Sequence, residues 1–158
     1  MALCLATSLV ERRGFDPLDQ MDRYVRWWRQ GYLSSTGRCF DIGTTVRHAL
    51  SQYERSRQPF SGSTDPRSAG NGSLMRLAPV PMWWFPDRDA MEHYAGESSR
   101  TTHGAAECVD ACRLFARLLH RAFVGATKDE VLLGEPAFRG APAIEALARG
   151  AYRDKPVT

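Results

Sequence analysis

The sequence is nearly devoid of lysine. Of its 21 basic residues, 19 are arginine, and only Lys128 and Lys155 are lysine. Set against 18 acidic residues, they leave a formal charge of +3. The arginines form no stripe and are interleaved with acids, which argues against a nucleic-acid surface. Long apolar runs are missing, which excludes a transmembrane helix. Met1 to Val10 is apolar, but it lacks a basic leader and runs directly into Glu11, Arg12 and Arg13, so it does not read as a secretory signal. Cysteine is sparse and unpaired in pattern. Cys4, Cys39, Cys108 and Cys112 form no CxxC unit, and the reading is reduced thiols in a cytoplasmic protein. No Gly-x-Ser-x-Gly elbow occurs, and no Gly-Lys-Ser/Thr completes a Walker A loop.

What is present is ordinary for a folded domain: 43% hydrophobic and 25% charged residues in 158 positions, enough for one domain with a sizeable core. The periodicity is helical throughout, and the fold class read from it is all-α. Leu3, Leu5, Ala6, Leu9 and Val10 predict a helix over 2–13 that stops at Gly14. Asp16 and Pro17 predict the start of a second, ending at Gly31, with Met21, Tyr24, Val25 and Trp28 facing inward. A third is expected from Thr45 to about Arg57, on Val46, Ala49, Leu50 and Tyr53. A loop follows over 58–72, then a turn or two of helix broken by Pro79 and Pro81. Residues 87–98 predict a short helix, and 105–123 the strongest one, with an apolar stripe of Val109, Cys112, Leu114, Phe115, Leu118, Leu119 and Phe123. Thr127 and Glu130 have capping-box spacing, and 142–149 predicts a last helix.

Three polar islands interrupt this pattern. Residues 34–45 (SSTGRCFDIGTT) lead into the third helix. Glycine permits close backbone approach, helix-start N–H groups can hold an anion, and Asp41 could bind a ribose hydroxyl or orient a water. The plain alternative is a loop capped by Thr44 or Thr45. Residues 70–76 (GNGSLMR) place small residues before a helix start, and Asn71 and Ser73 could donate to phosphate or ribose oxygens; the alternative is a turn with an N-cap. Residues 98–104 (SSRTTHG) carry His103, a ligand contact or proton shuttle on one reading and a surface or capping residue on the other. Cys108 and Cys112 share a helix face near His103, but no fourth zinc ligand stands at a suitable spacing, so they read as buried thiols. In each of the pairs Trp27-Trp28 and Trp83-Trp84, one ring belongs to the core, because adjacent helical residues do not share a face.

In this order, the segments GYLSSTGRCFDIGTTVRHAL, GNGSLMRLAPVP and AGESSRTTHGAAECVDACRLFARLL resemble the ADP-ribosylglycohydrolase family, and the opening MALCLA resembles the helix after that family's first metal motif. The resemblance implies a compact all-helical fold that cleaves the glycosidic bond between ADP-ribose and a modified side chain, with two magnesium ions in the intact enzyme. It implies that Asp41 is catalytic. It implies that Gly43, Gly70, Asn71, Gly72, Ser73 and His103 bind the substrate. The closeness of FDIGTT and GNGSLMR to the bacterial branch points to arginine as the leaving group.

The sequence also departs from the family pattern. The Thr-Asp-Asp motif and the Asp-x-Asp-Thr motif that hold the metals are not in it, so no metal ligand is assigned to any residue here. The expectation is therefore a single partial domain over 1–158, an internal fragment that does not hydrolyse ADP-ribosyl bonds alone. A metal-free module that still binds ADP-ribose is the alternative. Its partners are ADP-ribose or an ADP-ribosylated protein, with no nucleic acid and no membrane. Exposed apolar faces would make such a chain marginal or prone to associate.

Overall fold

The structure, a computed structural model, describes residues 1–133 and 135–152. Among them are nine α-helices and no strand: α1 Ala2–Arg12, α2 Pro17–Gln30, α3 Thr44–Ser56, α4 Gly72–Met75, α5 Pro79–Trp84, α6 Arg88–Arg100, α7 Ala106–Phe123, α8 Lys128–Leu133 and α9 Pro142–Ala148. A single 3-10 turn, Pro66–Ser68, lies in the loop before α4.

The helix ends follow local chemistry. The Asp16 carboxylate accepts the Asp19 N–H at the start of α2, and the Asp87 carboxylate accepts the Ala90 N–H at the start of α6. Thr127 and Glu130 close a reciprocal capping box at α8. One expectation is reversed at Pro79. It does not break a helix but begins α5, because the first helical position needs no N–H donor.

The main core gathers Cys4, Leu5 and Leu9 of α1, Met21, Tyr24 and Trp27 of α2, Val46, Leu50 and Tyr53 of α3, and Met91, Ala95 and Cys112 of α6 and α7. Leu3 and Val10, expected inside, point outward, since Cys4, Leu5, Ser8 and Leu9 are the buried face of α1. On α2 the fully packed ring is Trp27, with Trp28 at the margin of the core. The single stripe expected on α7 is two faces. Cys108, Cys112 and Ala116 are buried at four-residue spacing, and the latter two belong to the main core. Leu114 and Leu118 turn to a second, smaller core with Phe138, Ile144 and Ala148. Phe115 and Phe123 lie largely outside both.

Ion pairs tie the periphery together. Arg23, itself buried, bonds Asp19 at 2.6 Å and reaches Glu11 of α1 at 2.6 Å. Glu135 is buried and takes Arg88 of α6 and both Arg117 and Arg121 of α7. This packing leaves the turn from α6 to α7, the loop before α4 and the start of α3 beside one another.

Candidate functional site

Those three segments open on one cleft of about 500 Å³. Asp41, Gly43, Gly70, Asn71, Gly72 and His103 all line it, together with Trp27, Phe40, Met75 and Arg76. The three polar islands, far apart in sequence, are thus one site.

The first wall is the start of α3. Gly43 is its N-cap, in an extended conformation, and no side chain caps the helix. Neither Thr44 nor Thr45 serves as the cap that the sequence allowed. The Thr45 hydroxyl instead donates to the Ser68 carbonyl at 3.2 Å, joining α3 to the loop before α4. The first-turn N–H groups of this 13-residue helix are left without a side-chain acceptor, the condition under which a helix start accepts an anion. Asp41 stands just before it at φ 53°, a left-handed conformation rare outside glycine. Its side chain is exposed, makes no ion pair and is the one carboxylate on the cleft wall among the described residues. Non-glycine residues held in this region concentrate at functional sites.

The second wall is the glycine loop, and it is built around His103. The imidazole is 3% exposed. A methyl group at Gly72 would lie 2.9 Å from its Cε1, and one at Gly70 would lie 3.7 Å from its Nε2. The loop passes this close at Gly72 because that residue has no side chain, whereas the Gly70 distance is an ordinary contact. From behind, the Cys108 thiol lies 3.4 Å from the Gly70 N–H, which donates to it, and 3.3 Å from the Gly70 carbonyl. The sequence grouped Ser73 with the ligand-binding residues. The structure places its hydroxyl behind the loop, 2% exposed and 2.9 Å from Ser99 Oγ, off the cleft wall.

His103 is held on every side. Its N–H donates to the Ser99 carbonyl at 2.7 Å, and its carbonyl accepts the Ser99 hydroxyl at 2.9 Å. An isolated parallel bridge joins it to Ser63. Gly62 makes that bridge possible, since a methyl group there would fall 2.5 Å from the His103 backbone nitrogen. Nδ1 pairs with the Thr102 hydroxyl at 2.8 Å, leaving Nε2 on the side of the glycine loop. Burial, with a smaller contribution from the nearby Arg76 charge, lowers its pKa to about 4. At neutral pH it is an uncharged imidazole able to make one hydrogen bond through Nε2.

Several functional elements were not legible in the sequence. Arg76 lies within GNGSLMR, where nothing in the sequence marks it as buried. Gly62 and Ser63 read only as loop. Cys108 gains its meaning from a contact made across the fold, and Thr102 from the hydroxyl it sets against Nδ1 of the neighbouring His103.

The residues described do not fit a magnesium site. No three His, Cys, Asp or Glu side chains cluster among them, and magnesium needs several oxygen ligands in near-octahedral array.

Fold and cleft together define an all-helical protein with a glycine-lined cleft suited to an anionic ligand. The chain belongs to the ADP-ribosylglycohydrolase family, whose profile it matches over residues 1–155. It is 40% identical over 156 residues to ADP-ribosylarginine hydrolase Tri1 of Pseudomonas putida, covering 98% of this chain and 42% of that protein. With Tri1 of Serratia proteamaculans the identity is 36% over 132 residues, covering 82% and 36%. With human ADP-ribosylhydrolase ARH3 it is 27% over 140 residues, covering 84% and 36%. A solved structure, an ADP-ribosylglycohydrolase-related protein complex, superposes with a TM-score of 0.80 at 39% identity, covering 98% of this chain and 50% of that one. The chain therefore spans about two-fifths of the length of the curated relatives it matches. No helix among the described residues is long and apolar enough to cross a membrane.

Proposed function

We propose that this chain carries the ADP-ribose-binding cleft of an ADP-ribosyl hydrolase acting on arginine-linked ADP-ribose in a cytoplasmic setting. The observation that carries the reading is the convergence of Asp41, Gly43, Gly70, Asn71, Gly72 and His103 on one cleft. A diphosphate is matched by the uncapped N–H groups at the start of α3 and by the backbone of the glycine loop. The neutral His103 Nε2 offers one hydrogen bond to a ribose oxygen or phosphate. Asp41 presents an unpaired carboxylate where a guanidinium leaving group needs a counter-charge. The names of the two Tri1 relatives support arginine as that group.

Hydrolysis adds water across the bond between the anomeric carbon and the guanidinium nitrogen. The water loses a proton and the departing nitrogen gains one. Glycosidic hydrolysis ordinarily divides this work between two groups. The cleft offers one carboxylate, Asp41, which can take the water's proton. The family resemblance adds two magnesium ions to the intact enzyme, and the residues here do not hold them. The 158-residue chain is accordingly proposed to bind ADP-ribose without turning it over.

Calorimetry with ADP-ribose tests the binding, and an ADP-ribose release assay on ADP-ribosylated arginine, with and without magnesium, tests the turnover. Binding without release is expected. No heat at millimolar ADP-ribose would remove the binding role. Magnesium-dependent release by this chain would show that it is a complete catalyst.

A further inference from the structure

Arg76 sits at the floor of the cleft, at the end of α4, and it is 2% exposed. The other buried arginine among the described residues, Arg23, has two carboxylates. Arg76 forms no ion pair. Its Nη2 donates to the Ser98 carbonyl at 3.0 Å and to the Thr101 hydroxyl at 3.1 Å, while Nε and Nη1 have no hydrogen-bond partner among the described residues. The guanidinium carbon stands 5.0 Å from the centroid of the Tyr24 ring.

A buried guanidinium without an anion is costly, and an apolar side chain would serve the core better. What the arginine does is local and specific. Ser98 and Thr101 are at the C-terminal end of α6, where the last carbonyls lack helical donors and, once buried, must find others. Two residues beyond Thr101 is His103. Nη2 thus fastens the residues that bear His103 to the helix that follows the glycine loop.

We infer that Arg76 is a positioning residue, clamping the end of α6 so that the His103 ring stays fixed beneath Gly70 and Gly72 with Nε2 toward the cleft. The inference rests on that cleft being the ADP-ribose site. Arg76 touches no reacting atom and acts through His103. Its charge also disfavours protonation of the imidazole.

The test is an NMR titration of the His103 ring, paired with ADP-ribose calorimetry, in the 158-residue chain and in Arg76→Met and Arg76→Lys. In Arg76→Met the His103 midpoint should rise by about one unit, because a nearby positive charge has gone. ADP-ribose affinity should fall about tenfold, because the ring is no longer held in place. Arg76→Lys keeps the charge on a shorter side chain that does not place a nitrogen where Nη2 stands. It should restore the midpoint and leave affinity reduced. A folded Arg76→Met with the parent's midpoint and affinity would overturn the inference. If Arg76→Met does not fold, Thr101→Val removes one acceptor and leaves the arginine in place. Reduced affinity there supports the clamp, and parental affinity overturns it. Should the parent fail to bind ADP-ribose, the cleft reading falls, and the clamp is decided by the His103 ring resonances in Thr101→Val, which keeps the charge: resonances displaced from the parent's support it, and parental resonances overturn it.

Discussion

At the scale of single residues, the close contacts around His103 separate two kinds of glycine. A methyl group at Gly62 would meet three backbone atoms of residues 102–104, at 2.5–2.6 Å, and backbone cannot step aside. Gly62→Ala should therefore destabilise the fold by about 3 kcal/mol, as overpacking does at its upper range, seen as a lower urea midpoint. A methyl group at Gly72 meets the His103 ring, a side chain facing a cleft. Gly72→Ala should cost less, about 1 kcal/mol at the lower range of overpacking, and lower ADP-ribose affinity about tenfold, since a small misplacement at such a site is felt strongly. Equal stability losses in the two variants would contradict this division. The same imidazole sets a pH dependence. Its pKa is about 4 in the folded chain against an ordinary 6.5, so between these values the unfolded chain binds the extra proton. Its contribution is complete above about pH 6.5 and is lost as the pH falls toward 4. Urea midpoints should drop between pH 7 and pH 5, and His103→Asn should flatten that drop. A parent profile already flat over this range would exclude the effect.

At the scale of elements, Glu135 joins α6 to α7. Burial alone would raise its pKa, but hydrogen bonds from Arg121 and Arg117 and the charge of Arg88 outweigh that and hold it below the usual range. The stability this adds is present above the ordinary carboxylate pKa and is lost as pH falls below it. Glu135→Ala removes the buried carboxylate that Arg88, Arg117 and Arg121 share, while Arg117 keeps Glu92. It should cost about 3 kcal/mol, at the lower end for a broken buried pair, and a urea midpoint unchanged at neutral pH would refute that. Elements with strong local signals were legible in the sequence. The Asp16-Pro17 start and Gly31 end of α2 and the Thr127–Glu130 box depend on neighbours only a few residues away. The two faces of α7 were not legible, because a stripe tells which residues are apolar and not how many cores receive them. Pro79 is ambiguous for a similar reason: the residue that ends one helix can begin the next. For the site, the glycine and histidine islands were visible. Their meeting was not, because Ser63 and His103 are joined only by the fold.

At the scale of the whole molecule, the surface retains large apolar side chains. Val10 of α1 and Met82 and Trp83 of α5 line one shallow groove, and Leu3 and Met75 are more than half exposed. Patches of this kind draw partners. The purified chain is expected to self-associate in sedimentation velocity, and Met82→Glu with Trp83→Glu should reduce that. A monomer melting cooperatively above ~60 °C, near the top of the mesophile range, would contradict it. The stretch between α3 and α4 behaves differently from the exposed loop it resembles. It is fastened at Gly62 to Arg100, at Ser63 to Gly104, at Ser68 to Thr45 and at Gly70 to Cys108. A protease must draw several residues of extended chain into its own cleft, and such ties resist that. Arg67 lies within this stretch with its side chain 91% exposed, an open invitation to trypsin by surface alone. Limited digestion should nonetheless spare it until the fold opens, so that a loop almost without secondary structure has the lifetime of a core element.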